Sequence, residues 1–199
     1  MPDININGYP FISQSGTNQP ELTSNVTMPS GSTLQVRQAL KTDTFCISAT
    51  AGMTDVPGLA VTNFIPKFAT SNVLIMCNIW ASSNYYVGHV GLFQDETEIG
   101  LADAAGTRPR SFLDFAGNYA DQISNGAILC LTGQLLIPVN STDSRTYKIK
   151  IARRYDNQGQ NSETCINRSI PDREAGWNGN TTTYDHRKVS AVTVMEIAA

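Results

Sequence analysis

The sequence predicts an all-β protein: an antiparallel β sandwich of jelly-roll-like outline, preceded by an extended N-terminal arm. Two observations carry this. From Thr33 onward, short apolar runs alternate with polar residues at a period of two, separated by turn residues. Helical periodicity is nearly absent, and only Ala102–Ala105 and Phe112–Asp121 offer room for a helical turn. Eight to ten strands joined by short turns make a sandwich or jelly roll.

Residues 1–32 form the first unit, rich in Asn, Pro, Ser, Thr, Gln and Gly. Such a segment cannot bury a core of its own. It is expected to lie on another surface, with Ile4, Ile6, Tyr9, Phe11, Ile12, Leu22, Val26 and Met28 as apolar anchors. Its first residues lack a basic stretch followed by an apolar one, so no secretory signal is expected and synthesis is placed in a cytoplasm. The longest apolar run, near Val73–Met76, is too short to cross a bilayer.

Residues 33–199 form the sandwich. Leu34, Val36 and Leu40 alternate with Gln35, Arg37 and Lys41, and Phe45 and Ile47 continue the pattern. The organising stretch is Asp55–Lys67 followed by Ser71–Trp80, read as strand, turn, strand. Val73, Ile75, Cys77 and Ile79 fall on one face, and Leu74, Met76 and Trp80 on the other. A strand apolar on both faces is expected to be central and buried on both. Its second layer is either this chain's own or a neighbouring subunit, with Met76 and Trp80 as the contact residues. Further strands carry Val87 to Phe93, Ile128 to Ile137, Tyr147 to Ile151 and Val189 to Ile197. Residues 155–186, dense in Asn, Gly, Ser and Thr, read as long surface loops.

Charged residues make up 16% of the chain and the net charge is −3, which gives no reason to expect nucleic-acid binding, since that wants a basic face. Four cysteines stand far apart, without the clustering a zinc site needs. Their even number allows two disulfides, but Cys46, Cys77 and Cys130 sit in apolar runs, which favours buried free thiols. The nucleophile elbow, phosphate loop and zinc-protease motifs are missing, and Asp185-His186 has no serine in the strained turn a triad requires. No enzyme activity and no cofactor are expected. Asp95, Glu96 and Glu98 read as a solvated acidic turn in preference to a calcium site. Asn25, Asn140, Asn167 and Asn180 begin glycosylation sequons that are better read as turn residues. Trp177, Tyr184 and Arg187 in the last loop are the candidates for surface binding.

Several segments, taken in order, resemble a C-terminal β domain of virion structural proteins of tailed phages of cyanobacteria and marine bacteria, of the tail-fibre or capsid-decoration type. They are Leu34-Gln-Val-Arg-Gln-Ala-Leu-Lys-Thr-Asp-Thr-Phe45, Val56-Pro-Gly-Leu-Ala-Val61, Ile65-Pro-Lys67, Val73-Leu-Ile-Met76, Ala102-Asp-Ala-Ala-Gly-Thr-Arg108, Ile166-Asn-Arg-Ser169 and Ser190-Ala-Val-Thr-Val-Met-Glu-Ile197. The resemblance implies a jelly-roll-like domain of tumour-necrosis-factor-like outline, a homotrimer and a place in the virion, without catalysis. A long shaft usually precedes such a domain, whereas here only the arm does. The expectation is therefore a trimeric capsid decoration (cement) protein whose arms grip the major capsid protein or another virion protein. The alternative is a short tail fibre or adaptor touching a host receptor. Neither requires membrane insertion.

Overall fold

The alternating stretches Asn72–Ser83 and Arg145–Arg154 lie in the interiors of two different sheets. The computed structural model of the chain describes residues 4–6, 9–13, 21–22, 28–48, 52–83, 87–108, 110–116, 128–154, 163–170 and 186–199. Fourteen strands are present among them. In the N-terminal segment these are β1 (Ile4–Ile6), β2 (Tyr9–Ser13) and β3 (Glu21–Leu22). The following strands are β4 (Thr33–Lys41), β5 (Phe45–Ser48), β6 (Thr54–Phe64), β7 (Asn72–Ser83), β8 (Val87–Gln94), β9 (Thr97–Ile99) and β10 (Leu113–Ala116). The last four are β11 (Leu129–Pro138), β12 (Arg145–Arg154), β13 (Glu163–Ile166) and β14 (Ser190–Ile197).

β1, β2 and β3 pair with each other as a small antiparallel sheet. The remaining strands make two sheets. In the first, β7 is flanked on one side by β11 over its whole pairing length. Along its other side β14 and β13 follow one another end to end. β4 lies outside β14, and β5 outside β13. In the second sheet the order is β6–β12–β8, and β9 and β10 share the far side of β8. The chain alternates between these sheets, giving β4–β14–β7–β11 facing β6–β12–β8–β9/β10. That is an antiparallel jelly roll.

The core lies between the sheets. Val73, Ile75, Cys77, Ile79, Val192 and Val194 point inward from the first sheet. Leu59, Val61, Phe64, Val90, Leu92, Tyr147, Ile149 and Ile151 meet them from the second. Phe64 and Tyr147 pack edge to face with centroids 5.8 Å apart. Gly88 is required by Phe115 opposite it, because a Cβ there would stand 2.2 Å from the ring. Pro57-Gly58, with Gly58 at φ 84°, accompanies a break in register between β6 and β12.

Two buried polar centres fix the corners. Asn167, in left-handed conformation at φ 63°, donates from Nδ2 to the carbonyls of Lys41 at 2.8 Å and Asp43 at 2.9 Å. Its Oδ1 accepts from Ser190 Oγ at 2.6 Å, and its N–H donates to the Trp80 carbonyl at 2.9 Å. It thus joins β4, β7, β13 and β14 where β13 and β14 meet along β7. Glu196 is fully buried. It accepts from Ser71 Oγ and Gln35 Nε2, each at 2.6 Å, and from the Lys67 and Phe68 N–H groups. The two ends of the sandwich are tied as well: Gly31 N–H donates to the Ala198 carbonyl at 2.8 Å, and Ala198 N–H to Ser32 at 2.9 Å.

The structure corrects four expectations. β7 is central, but among the described residues only one of its faces is buried in the core; Met76 on the other is 37% exposed. Cys46 and Cys165 form a disulfide, since the β5–β13 register sets them directly opposite each other. Cys77 is a buried free thiol as expected, while Cys130 is free and exposed. The proposed helical turns are absent among the described residues. Leu113–Ala116 is a strand because pairing with β8 buries Phe115, and Ala102–Ala105 is irregular and exposed, with no apolar stripe to bury. Within the presumed loop 155–186, Glu163–Ile166 is a strand.

Candidate interaction surface

Side chains alternate across a sheet, so the inward set of β7 defines its outer set: Asn72, Leu74, Met76, Asn78 and Trp80. The registers carry this face across the neighbouring strands. Met76 lies beside Thr193 and Gln134, and Thr193 beside Gln38. The next row is apolar throughout, with Val36, Met195, Leu74 and Leu136 side by side over four strands. Another row runs Leu40, Ala191, Asn78, Thr132. Val36, Leu40 and Leu136 are 55–58% exposed. Gln38 Nε2 donates to Thr193 Oγ1 at 2.9 Å, and Cys130 Sγ to Asn78 Oδ1 at 3.0 Å. On β4, β14, β7 and β11 no residue of this outer face carries a charge; Glu163 on β13 and Lys188 beside Trp80 border it.

The outer face of the second sheet is the opposite. Lys148 and Lys150 reach Glu96 at 2.6 and 2.7 Å, and Asp55 at 3.2 and 3.3 Å. The hydrogen bonds from these two lysines pull the Glu96 carboxyl down to about 2, and the bond to Glu96 raises Lys148. Lys150 also stands 4.7 Å from the centre of the Phe93 ring. His89 lies between Glu98 at 3.0 Å and Asp114 at 3.5 Å. One face is therefore laced with ion pairs that hold it in water, and the other is neutral and partly apolar. Contiguous apolar strips of this kind are uncommon on the surfaces of monomeric proteins.

Met76 and Trp80 share the neutral face four residues apart on β7. Trp80 is half-buried, and Lys188 Nζ lies 5.0 Å above its ring. Of the arm anchors, Ile4 is 52% exposed, and Ile12 and Met28 are half-buried. Ile6, Tyr9, Phe11 and Leu22 lie in β1–β3, their side chains outside the description, and Val26 lies outside the described residues. So do Trp177 and Tyr184; Arg187 is described and exposed. Val36, Leu40, Leu136 and Met195 complete the face and escape sequence reasoning. For Leu136 the signal is the absence of any charge over residues 128–138; Val36, Leu40 and Met195 have charged neighbours in sequence and join the face only through the strand registers.

The acidic turn does not gather its carboxylates. Asp95 accepts the Thr146 N–H, Glu96 takes the two lysines and Glu98 takes His89. Among the described residues one group has metal-ligand proximity, Cys46, Glu163 and Cys165, and its two sulfurs are bonded to each other.

No protein-family model matches the chain, and no curated protein matches it. Solved structures of similar outline are capsid proteins of infectious bursal disease virus. A mutant VP2 protein in T=1 particles matches with a TM-score of 0.40 and 13% identity, over 94% of this chain and 41% of that one. The Gx strain virus structure gives 0.38 and 14%, over 100% and 42%. The VP2 subviral particle gives 0.35 and 12%, over 94% and 43%. The chain thus spans about two fifths of the length of these viral chains. At these scores the likeness is one of outline, and the jelly roll rests on the strand order itself.

Proposed function

We propose that this chain is a non-enzymatic virion structural protein that decorates a capsid shell, self-associating and seating itself through the neutral outer face of the β4–β14–β7–β11 sheet. The observation that carries the reading is the contrast between the two outer faces, one closed by ion pairs and the other uncharged with Val36, Leu40 and Leu136 more than half exposed. The ordered set of segments resembling phage virion β domains supplies the virion context. Residues 1–32 act as the arm reaching a neighbouring shell subunit, where several weak grips multiply into firm attachment.

The test uses particles and the full chain. Lysines at Val36 and Leu136, both exposed, should abolish co-sedimentation with particles while leaving the unfolding midpoint unchanged. Deleting residues 2–30 should weaken attachment and leave the sandwich folded. Full decoration by both variants overturns the reading. Binding of the isolated protein to host cells in place of particles transfers it to the receptor-binding alternative.

A further inference from the structure

Among the described residues β11 is the outermost strand of its sheet, and no described strand pairs with its outward edge. Which of its groups face outward follows from Trp80. The Trp80 N–H donates to Ser190 Oγ at 2.9 Å, and its carbonyl accepts from Asn167 N–H. Both bonds lie on the side of β7 away from β11. Trp80 and Cys130 are therefore a non-hydrogen-bonded pair, and the alternation of an antiparallel ladder extends this to every second residue. Cys130, Thr132, Gln134 and Leu136 turn their N–H and C=O groups outward, where no strand meets them among the described residues.

Exposed edges normally carry a charge, a proline or a bulge that blocks pairing. The edge strand β4 has Arg37 and Lys41, and β6 has Asp55, Pro57 and two breaks of register. β11 has no charge and an unbroken register with β7 over ten residues, with Pro138 only at its end. Such a strand invites another of the same kind.

We propose that β11 pairs with β11 of a second copy, antiparallel about a twofold axis, with Cys130 opposite Leu136 and Thr132 opposite Gln134. This register is the one that engages all four outward-facing residues of both strands. It places no charge against any group, and a twofold contact is self-complementary. It also makes the neutral outer faces of the two copies continuous. A charged partner strand would find no opposite charge on β11, whereas a second copy brings a strand of matching length and neutrality. The pairing stands apart from the decoration reading, because it forms in solution without a particle.

The test is a cysteine pair. In the full chain carrying Leu136→Cys, the new thiol lies opposite Cys130 of the second copy at a spacing of about 5.5 Å between Cα atoms, within disulfide reach. Oxidised glutathione takes up the two electrons as the disulfide forms, and is released as reduced glutathione. Most of the Leu136→Cys protein should run as a covalent dimer on a non-reducing gel, while Gln134→Cys, opposite Thr132, should stay monomeric. Independently, the wild type should sediment at twice the chain mass at micromolar concentration. Thr132→Pro, which removes one outward N–H and no bond to β7, should halve that mass without lowering the unfolding midpoint. A monomeric wild type, equal crosslinking of both cysteine variants, or a dimer that survives Thr132→Pro overturns the proposal. So does capture of a foreign strand by β11 in place of its own copy.

Discussion

Ser71 Oγ lies 2.6 Å from the Glu196 carboxylate, across 125 positions of sequence. The contact closes the turn between β6 and β7 onto the last strand. Among the described residues no cation takes part. Burial on its own would raise the Glu196 carboxyl, but the bonds from Ser71, the Lys67 and Phe68 N–H groups and Gln35 outweigh it and hold the group below 4.5. A carboxyl lowered on folding contributes stability above its unfolded value, and that contribution is lost as pH falls through the folded one. Denaturant midpoints should fall on acidification below about pH 4.5. Glu196→Gln should flatten that part of the profile and lower stability at neutral pH by about 1–3 kcal/mol, because its NH2 takes the place of one accepting oxygen and faces a donor.

Asn167 combines a left-handed backbone with three side-chain hydrogen bonds. Asn167→Ala loses the bonds and keeps the strained backbone, for a cost of about 3 kcal/mol. Asn167→Gly loses the same bonds but tolerates the conformation, so it should be the more stable of the two in urea unfolding. The reverse order would show that backbone strain is irrelevant there.

The Cys46–Cys165 disulfide spans 119 positions. Replacing both cysteines with serine should destabilise the fold by about 2–4 kcal/mol. Reduction of the wild type should give the same shift in midpoint. Cys77 should resist thiol reagents in the folded state, since burial pushes its thiol up to about 12.

Tyr147 is fully buried; its hydroxyl makes no hydrogen bond of good geometry among the described residues, and the Arg145 guanidinium is its polar neighbour. Tyr147→Phe keeps the edge contact with Phe64 and removes an unpaired polar atom. It should leave stability unchanged or raise it by up to about 1 kcal/mol. A clear loss would mean that the hydroxyl is bonded in solution.

What the sequence made legible was the period. Tyr147, Ile149 and Ile151 point inward and Lys148 and Lys150 outward, as their alternation requires, and the all-β class follows from such strands. The second face of β7 was not legible in the same way. Leu74, Met76 and Trp80 have the apolarity of core residues, and a period of two cannot tell a core from an uncovered surface. Only the partner strands show that nothing in this sheet packs over Met76. The disulfide was hidden for another reason: Cys46 and Cys165 meet through the register of β5 and β13, which is set by distant pairings. Asn167 read as a turn residue, and its φ of 63° fits that. Its role as the joint between four strands depends on partners as far as 126 positions away.

The paired bonds between Gly31–Ser32 and Ala198 have a practical meaning for anyone handling the protein. Whatever is joined after Ala199 leaves the sandwich beside the segment that enters it at Met28. A bulky fusion at that end would crowd the entry of Met28–Ser32 into the sandwich, so affinity handles belong in an exposed inter-strand turn. The same proximity lets a short linker splice the two ends of the sandwich. Opening the ring elsewhere would yield a rearranged chain with its jelly roll intact and its arm removed from the junction.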